Sequence, residues 1–337
     1  MSIADIAERA GVSPSTVSLV INGKPSVAPA TAAAVREVIR EMGYTPPPLE
    51  RRQGRRVVRE ATARVAVVAQ MPGQWLQSPV FGEVLEGLEI RAREEKSVMS
   101  LYKVPNDSAA NLEMMEDELA GLILFGGHPT PEWLGKLAQL PCVRVMGTPD
   151  EDAWCDHVTY KNSSIGHLAA RHLLEQGHRH VACLCLGTNE VILGREASFM
   201  AAIKTGGGTA ARLEAAGIIL MTEDDQTIDT ALLGRLLDQL LQTDPRPTGL
   251  FLPVDMAAPP VYLQLLQRGV RPGKDVEIVS CNNERSLLNG LEPRPAVVDI
   301  HAREVGRRAM ERLLWRVKHP KAPPADILIH PVLVKAR

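Results

Sequence analysis

GVSPSTVSLVING, residues 11–23, is the stretch whose reading decides the fold. Gly11 stands where a tight connection needs positive φ. Ser13 is a helix N-cap type, and Pro14 suits the first helical position. The helix that follows buries Val17, Val20 and Ile21 on one stripe and turns Ser15, Thr16, Ser18, Leu19 and Asn22 outward. On its N-terminal side, Ile3, Ile6, Ala7 and Ala10 fall at i, i+3, i+4 and i+7, so a short amphipathic helix capped by Ser2 precedes the turn. Two short helices joined this tightly have the layout of a helix-turn-helix, whose second helix enters the major groove and meets base edges with its early residues. On spacing alone, a small three-helix core with no nucleic-acid role stays open.

IADIAERAGVSPSTVSLVING, followed by a third helix ending in EMGYTP, resembles the DNA-binding head of the lac repressor family of bacterial transcription regulators, continuously from Ile3 to Pro46. The resemblance implies DNA contacts from Ser2, Ser13, Pro14, Ser15, Thr16, Ser18, Leu19, Asn22 and Tyr44. Three positions depart from the family pattern. Ala28 replaces the capping Ser or Thr of the third helix, at a cost on the order of 1 kcal/mol that Pro29 partly offsets. Ala32 replaces a frequent basic residue, an expected loss of one phosphate contact. Leu19 replaces Arg; it can meet a thymine methyl but cannot bond guanine.

Outward from the head, charge is segregated. Residues 1–64 hold ten Lys and Arg against six Asp and Glu, net +4, while the remainder is net −6, within a chain of formal charge −2. The positive end is the end that would meet phosphate. Residues 47–63 form a basic Pro/Arg-rich hinge: Pro47 and Pro48 follow Pro46, then come Arg51, Arg52, Arg55, Arg56 and Arg59. By composition it reads equally as a solvated basic linker. The family has here a hinge helix that wedges a Leu into the minor groove. Leu49 comes early, Gln53 stands near the wedge position, and Gly54 with the prolines weakens helix propensity. The expectation is therefore phosphate contact by Arg51, Arg52, Arg55 and Arg56, with strong salt dependence and little kinking.

From Arg64 the rhythm becomes strand and helix in alternation, which implies parallel sheets covered on both faces. RVAVVAQ, VMSLYKV, LAGLILFG and CVRVMG read as strands of one half; HVACLCL, GIILM, TGLFLP and DVEIVS read as strands of a second. Two Rossmann-like lobes facing a cleft are expected. EQGHRHVACL, GREASFMAAI (Ser198 for the family's Gly) and LFLPVDMAA (Val254 for its Asn) resemble the family's effector-binding core, itself similar to periplasmic sugar-binding proteins. The fold class expected is thus an all-α helix-turn-helix head, residues 1–46, and an α/β two-lobed periplasmic-binding-protein-like core, residues 64–337. By analogy lobe 1 takes 64–160 and 297–318, lobe 2 takes 161–296 and 319–337, and the last run, ILIHPVLVKA, joins the second lobe.

Ligands of open α/β sheets bind beyond the carboxyl ends of strands. Arg195 and Asp255 match the arginine and aspartate that grip the effector in the family, and a guanidinium suits paired sugar hydroxyls. The plain alternatives are a surface charge and a helix cap. Trp75 and Phe81 lie where the family places a wall of the cleft, and Phe81 has lobe packing as its other fate. Lys161 replaces an Asp in the crossover, while Asn282 and Asn283 replace two aspartates. These changes suggest an effector that carries a negative group.

Other chemistry finds little support. The glycines of KTGGGTAAR lack both phosphate-loop spacings and read as an ordinary connection. His167 and His172 lie about 140° apart around a helix. No metal-ligand set and no nucleophile, base and orienter set emerges, so no metal, no cofactor and no catalysis is expected. Five scattered cysteines fit a reducing cytoplasm. The charged first helix is no signal peptide, and no apolar run spans a membrane. The function expected is a cytoplasmic, sequence-specific regulator, a repressor controlled allosterically by a sugar or sugar derivative. It binds double-stranded operator DNA as a homodimer, since the chain ends right after its last strand without a Leu-rich tetramerising helix. The alternatives are a small-molecule-binding protein or an α/β enzyme without a gene-control role.

Overall fold

The computed structural model describes residues 3–21, 27–44, 63–70, 78–104, 119–126, 140–149, 153–186, 190–214 and 228–336. The chain divides into two compact units, Met1–Thr62 and Ala63–Arg337.

In the first unit, α1 (Ile3–Ala10), α2 (Pro14–Ile21) and α3 (Pro29–Glu41) enclose a core of Ile6, Ala7, Val17, Val20, Ala32 and Val35. Gly11 takes φ +63°, the left-handed conformation that ends α1 and aims α2. Ala28 makes no side-chain cap and Pro29 opens α3, as the sequence implied. Ala32 corrects the expectation of a missing phosphate contact. It lies three residues before Val35 on the inward stripe and is buried, so a charge there would displace core rather than reach DNA.

The second unit holds two six-stranded sheets. The first has order β11-β5-β4-β3-β1-β2, all parallel, from β1 (Arg64–Gln70), β2 (Val98–Val104), β3 (Gly121–Gly126), β4 (Cys142–Val145), β5 (Asp156–Tyr160) and β11 (Asp326–Ile329). The second has order β12-β10-β9-β8-β6-β7, from β6 (His180–Leu184), β7 (Thr209–Leu213), β8 (Gly249–Phe251), β9 (Glu277–Asn282), β10 (Ala296–Asp299) and β12 (Val332–Val334), with β12 alone antiparallel. Strands such as β1, with Val65 to Ala69 buried without interruption, are covered on both faces, which is why they read as apolar runs rather than alternations.

Helices α4 (Pro79–Glu94) and α10 (Ala302–Lys318) pack on the first sheet; α5 (Asn162–Glu175), α6 (Glu190–Thr205), α7 (Thr230–Gln242), α8 (Ala258–Gln267) and the single turn α9 (Arg285–Leu288) belong with the second. Close backbone approach repeats in both lobes. A Cβ on Gly87 would sit 1.9 Å from the Arg303 carbonyl oxygen of α10, and one on Gly166 of α5 would sit 2.1 Å from that of Arg195 on α6. Ser198 is tolerated beside Gly166 because its hydroxyl turns back to donate to the Arg195 carbonyl at 2.9 Å.

Three sequence readings change. ILIHPVLVKA is two strands, not one: β11 pairs with β5 at the edge of the first sheet, and only β12 joins the second, against β10. Each sheet gains a covered edge this way, and Pro331 breaks the run between them. The second crossing falls after Asp299, because β10 belongs to the second sheet. Thr209–Leu213, read as a connection, is strand β7 alongside β6. The run GIILM and the basic hinge lie outside the described residues.

Candidate functional site

In the head, Ser13 is the cap the sequence implied. Its Oγ accepts from the Thr16 backbone N–H at 3.2 Å and lies 2.7 Å from Ser15 Oγ and 2.9 Å from Thr16 Oγ1. Ser13, Pro14, Ser15 and Leu19 are exposed and Thr16 is half-buried, while Val17 and Val20 point into the core. A helix so held offers short polar groups and one apolar side chain, Leu19, to whatever approaches it. Tyr44 is half-buried and packs on the head core, so its ring is committed to the fold. Ser2, Asn22, Arg51, Arg52, Arg55 and Arg56 lie outside the described residues, as does the side chain of Ser18.

In the core, Arg195 on α6 is the side chain around which the crossover region is built. It is 1 % exposed. Its Nη1 donates to the Pro253 carbonyl at 2.7 Å and to Asn282 Oδ1 at 3.0 Å, and its Nε donates to Asn162 Oδ1 at 3.3 Å. The guanidinium lies over the ring of Tyr160, 5.3 Å from its centroid. Tyr160 ends β5 and Asn162 opens α5, so one cation gathers the first crossing between lobes with the ends of β8 and β9. Every one of these partners is neutral.

Asn282 relays the site onward, its Nδ2 donating to Glu284 Oε2 at 3.4 Å. Asn282 and Asn283 take φ +113° and +69°, a left-handed pair that asparagine tolerates better than most residues. Asn283 has different partners: it donates to Asp299 Oδ2 at 2.8 Å and accepts from Arg294. Glu284 is buried, and its carboxylate accepts from the Val80 N–H at the start of α4. It therefore ties the second lobe to the first. Burial raises its pKa above the ordinary value. Two asparagines thus remove negative charge from this loop, and Glu284 returns some of it, which weakens the inference of an acidic effector.

Asp255 does not face Arg195. It accepts from Ser280 Oγ and from the Glu284 N–H at 2.7 Å, so it shapes the loop after β9 from beneath. Burial pushes its pKa up to about 7. Arg195 and Asp255 are both in the lobe the sequence assigned, yet the structure does not bring them together as a grip. Phe81 is a core side chain, its ring edge-on to Phe125 at 4.9 Å, because α4 must bury that face on the sheet. Lys161 is exposed and lines a separate groove of about 370 Å³ with Ser163, His167 and His330. Trp75 is outside the described residues.

Sequence reasoning missed Tyr160, Asn162 and Glu284. The first two carried a usable signal, since they sit at the carboxyl end of a strand where the chain changes lobes. Glu284 carried none, because its reach to Val80 is a tertiary fact. Among the described residues, no three His, Cys, Asp or Glu converge as a metal site requires, and no helix is long and apolar enough to cross a membrane.

Known proteins agree with this two-part plan. Residues 2–47 match the family described as bacterial regulatory proteins, lacI family, and residues 170–337 match the periplasmic binding protein-like domain. The chain is 27 % identical to the HTH-type transcriptional repressor PurR of Pectobacterium atrosepticum, covering 100 % of this chain and 96 % of the relative. It is 26 % identical to catabolite control protein A of Priestia megaterium, covering 100 % and 98 %. In fold it is similar to the lac repressor dimer bound to operator and the anti-inducer ONPF, with TM-score 0.65, 18 % identity and coverage of 100 % and 98 %. The CelR–cellobiose complex superposes with TM-score 0.64, 21 % identity and coverage of 100 % and 99 %.

Proposed function

Because the chain belongs to the lacI family of bacterial regulatory proteins, we propose that it is a repressor that reads a two-fold symmetric operator as a homodimer and is switched by a small polyol held at Arg195. The observation that carries the reading is the Ser13-capped second helix with Ser15, Thr16 and Leu19 facing out from a packed six-residue core. Such a helix, backed by an N-terminal segment of net charge +4, supplies base contacts from one face and phosphate attraction from the rest. A dimer presents two such helices, and its symmetry requires an approximate palindrome. The basic hinge adds phosphate contacts through Arg51, Arg52, Arg55 and Arg56.

Arg195 is the effector anchor in this reading. Its partners, the Pro253 carbonyl and the amides of Asn162 and Asn282, are hydrogen-bonding groups that sugar hydroxyls can replace one for one. The CelR relative was solved with cellobiose, and a lacI-family regulator from Enterococcus faecium with ribose. With Glu284 beside Asn282, an uncharged sugar fits better than an acidic one. Linkage then makes the effect reciprocal: effector and operator change one another's affinity by the same factor, through about 1 to 3 kcal/mol.

Capture of genomic fragments on the purified protein at two salt concentrations tests the regulator. One short palindrome whose recovery falls steeply with salt is the expected result. Recovery of sequence-independent DNA alone, with and without a sugar pool, overturns it. Titration of neutral and acidic sugars against the same preparation tests the effector, and tighter binding of the acids overturns the uncharged assignment.

A further inference from the structure

The chain has five cysteines, and they are not equivalent. Cys183, Cys185 and Cys281 are buried, and so is Cys142, but Cys155 is partly exposed. Cys142 opens β4 and Cys155 immediately precedes β5. The register pairs Val143 with Asp156 on these parallel neighbours, so one step back Cys142 lies across from Cys155. Residues so placed on adjacent strands lie about 4.8 Å apart, inside the Cα range of roughly 4.4–6.8 Å that a disulfide spans. The two residues share a packed cluster with Trp154, and the Cys155 Sγ donates to the Asp156 carbonyl at 3.4 Å. The buried guanidinium of Arg144, from the same strand as Cys142, acts electrostatically on both sulfurs.

We propose that Cys142 and Cys155 form a redox modification site, a dithiol that hydroperoxides convert to a disulfide in the first lobe. Cys155 is the attacking sulfur, because of the two it is the one solvent reaches. Its Sγ bonds the peroxide's distal oxygen as the O–O bond breaks, and the departing oxygen takes a proton to leave as water or alcohol. Cys142 then attacks the resulting sulfenic sulfur. The S–S bond forms, the S–O bond breaks, and the hydroxyl departs as water with the Cys142 proton. Two thiols lose two electrons and two hydrogens in all, and one peroxide is reduced. Burial pushes the Cys142 thiol up, so its proton has to leave as the S–S bond forms, and the departing hydroxyl takes it. Cys183 and Cys185 also touch, but both are closed to solvent, so they serve as the internal comparison.

The test treats the full-length reduced protein with a small excess of hydrogen peroxide, then unfolds it and counts thiols. Five are expected to fall to three, with a peptide map joining Cys142 to Cys155 and the chain lighter by two hydrogens. The Cys142→Ser variant should stop at a sulfenic acid on Cys155 that dimedone captures, and the Cys155→Ser variant should keep all four of its thiols. Both variants are checked for unchanged far-ultraviolet circular dichroism and thermal midpoint before treatment. A disulfide joining any other pair, a sulfinic acid at Cys155 with Cys142 still reduced, or five surviving thiols overturns the assignment.

Discussion

Two aspartates with no solvent exposure, one in each lobe, meet opposite fates. Asp156, at the start of β5, accepts from Arg316 Nε at 2.8 Å and Nη2 at 2.7 Å, from Arg312 Nη2 at 3.0 Å, and from the Ala325 N–H at 2.9 Å. Asp255, in the second lobe, accepts from a hydroxyl and backbone amides, and among the described residues no guanidinium donates to it. Burial works against ionisation at both. At Asp156 the two arginines and the amide outweigh it and hold the carboxyl below the usual range, whereas at Asp255 burial wins and the pKa rises to about 7. The cations beside a buried acid, not the depth of burial, decide whether it is a fastener or a proton store.

The strongest way to break the comparison is Asp156→Asn. Arg316 is nearly buried, and it also donates to the carbonyls of Ala322 and Pro323, so the aspartate ties α10 to the segment leading into β11. Removing one partner of a buried ion network costs on the order of 3–5 kcal/mol. Urea unfolding followed by circular dichroism is expected to show a loss of that size at pH 7. A depressed carboxylate contributes stability above its unfolded pKa and loses it as pH falls through the folded value. The difference between wild type and variant should therefore shrink in acid. A loss below about 1 kcal/mol at pH 7 would mean that the arginines find equal partners elsewhere.

Asp255→Asn should go the other way. Its folded pKa of about 7 lies above the unfolded value of 3.8. The stability it contributes is thus complete below pH 3.8 and lost as pH rises through 7. Asparagine keeps an oxygen for the Glu284 N–H and offers its amide to Ser280 Oγ, with no charge to bury. The variant is expected to match wild type near pH 5 and to exceed it by roughly 1–2 kcal/mol at pH 8, part of the 1.4 kcal/mol per pKa unit that linkage allows. Thermal midpoints across that window measure it. Parallel curves for the two proteins would show that Asp255 stays ionised in the fold.

How much of this was legible beforehand differs between head and core for a physical reason. In the head, function and fold share the local code of caps and periods, so Gly11, Ser13, Pro14, Val17 and Val20 announced both. Ala32 misled because a single position taken from a family pattern was read without its own stripe, which Val35 completes. In the core, apolar runs revealed the strands, but β7 hid in a glycine-rich stretch with little β propensity. The last run split between sheets because edge pairing is a tertiary choice. Arg195 stood out from its motif as a candidate. Of its partners Asn282 was legible too, but Tyr160 and Asn162 were not, since they lie far from Arg195 in sequence and meet it only when three strands end together. Asp255 carries a motif too, yet whether a motif acid faces ligand or loop depends on a hydroxyl at Ser280 that no local pattern connects to it.

Glu284 lies between the two aspartates in character, and its Gln variant gives the smallest expected effect. Burial raises its pKa, as at Asp255, but its carboxylate accepts from the Val80 N–H at the first turn of α4 and from Asn282, and Arg195 stands near enough to favour the ion. Glu284→Gln keeps an acceptor for Val80 and surrenders the attraction to the helix terminus, about 0.3–1 kcal/mol, while escaping the cost of burying a charge. The two terms oppose one another, so stability at pH 7 should move by less than about 1 kcal/mol. Glu284→Ala is the sharper probe: it leaves the Val80 N–H without an acceptor between the lobes, at about 1–3 kcal/mol. Gln close to wild type with Ala well below it would show that the tie between lobes is a hydrogen bond and needs no charge. If both fall equally, the ion is what holds α4 to the second lobe, and Glu284 then belongs with Asp156 as a fastener rather than with Asp255.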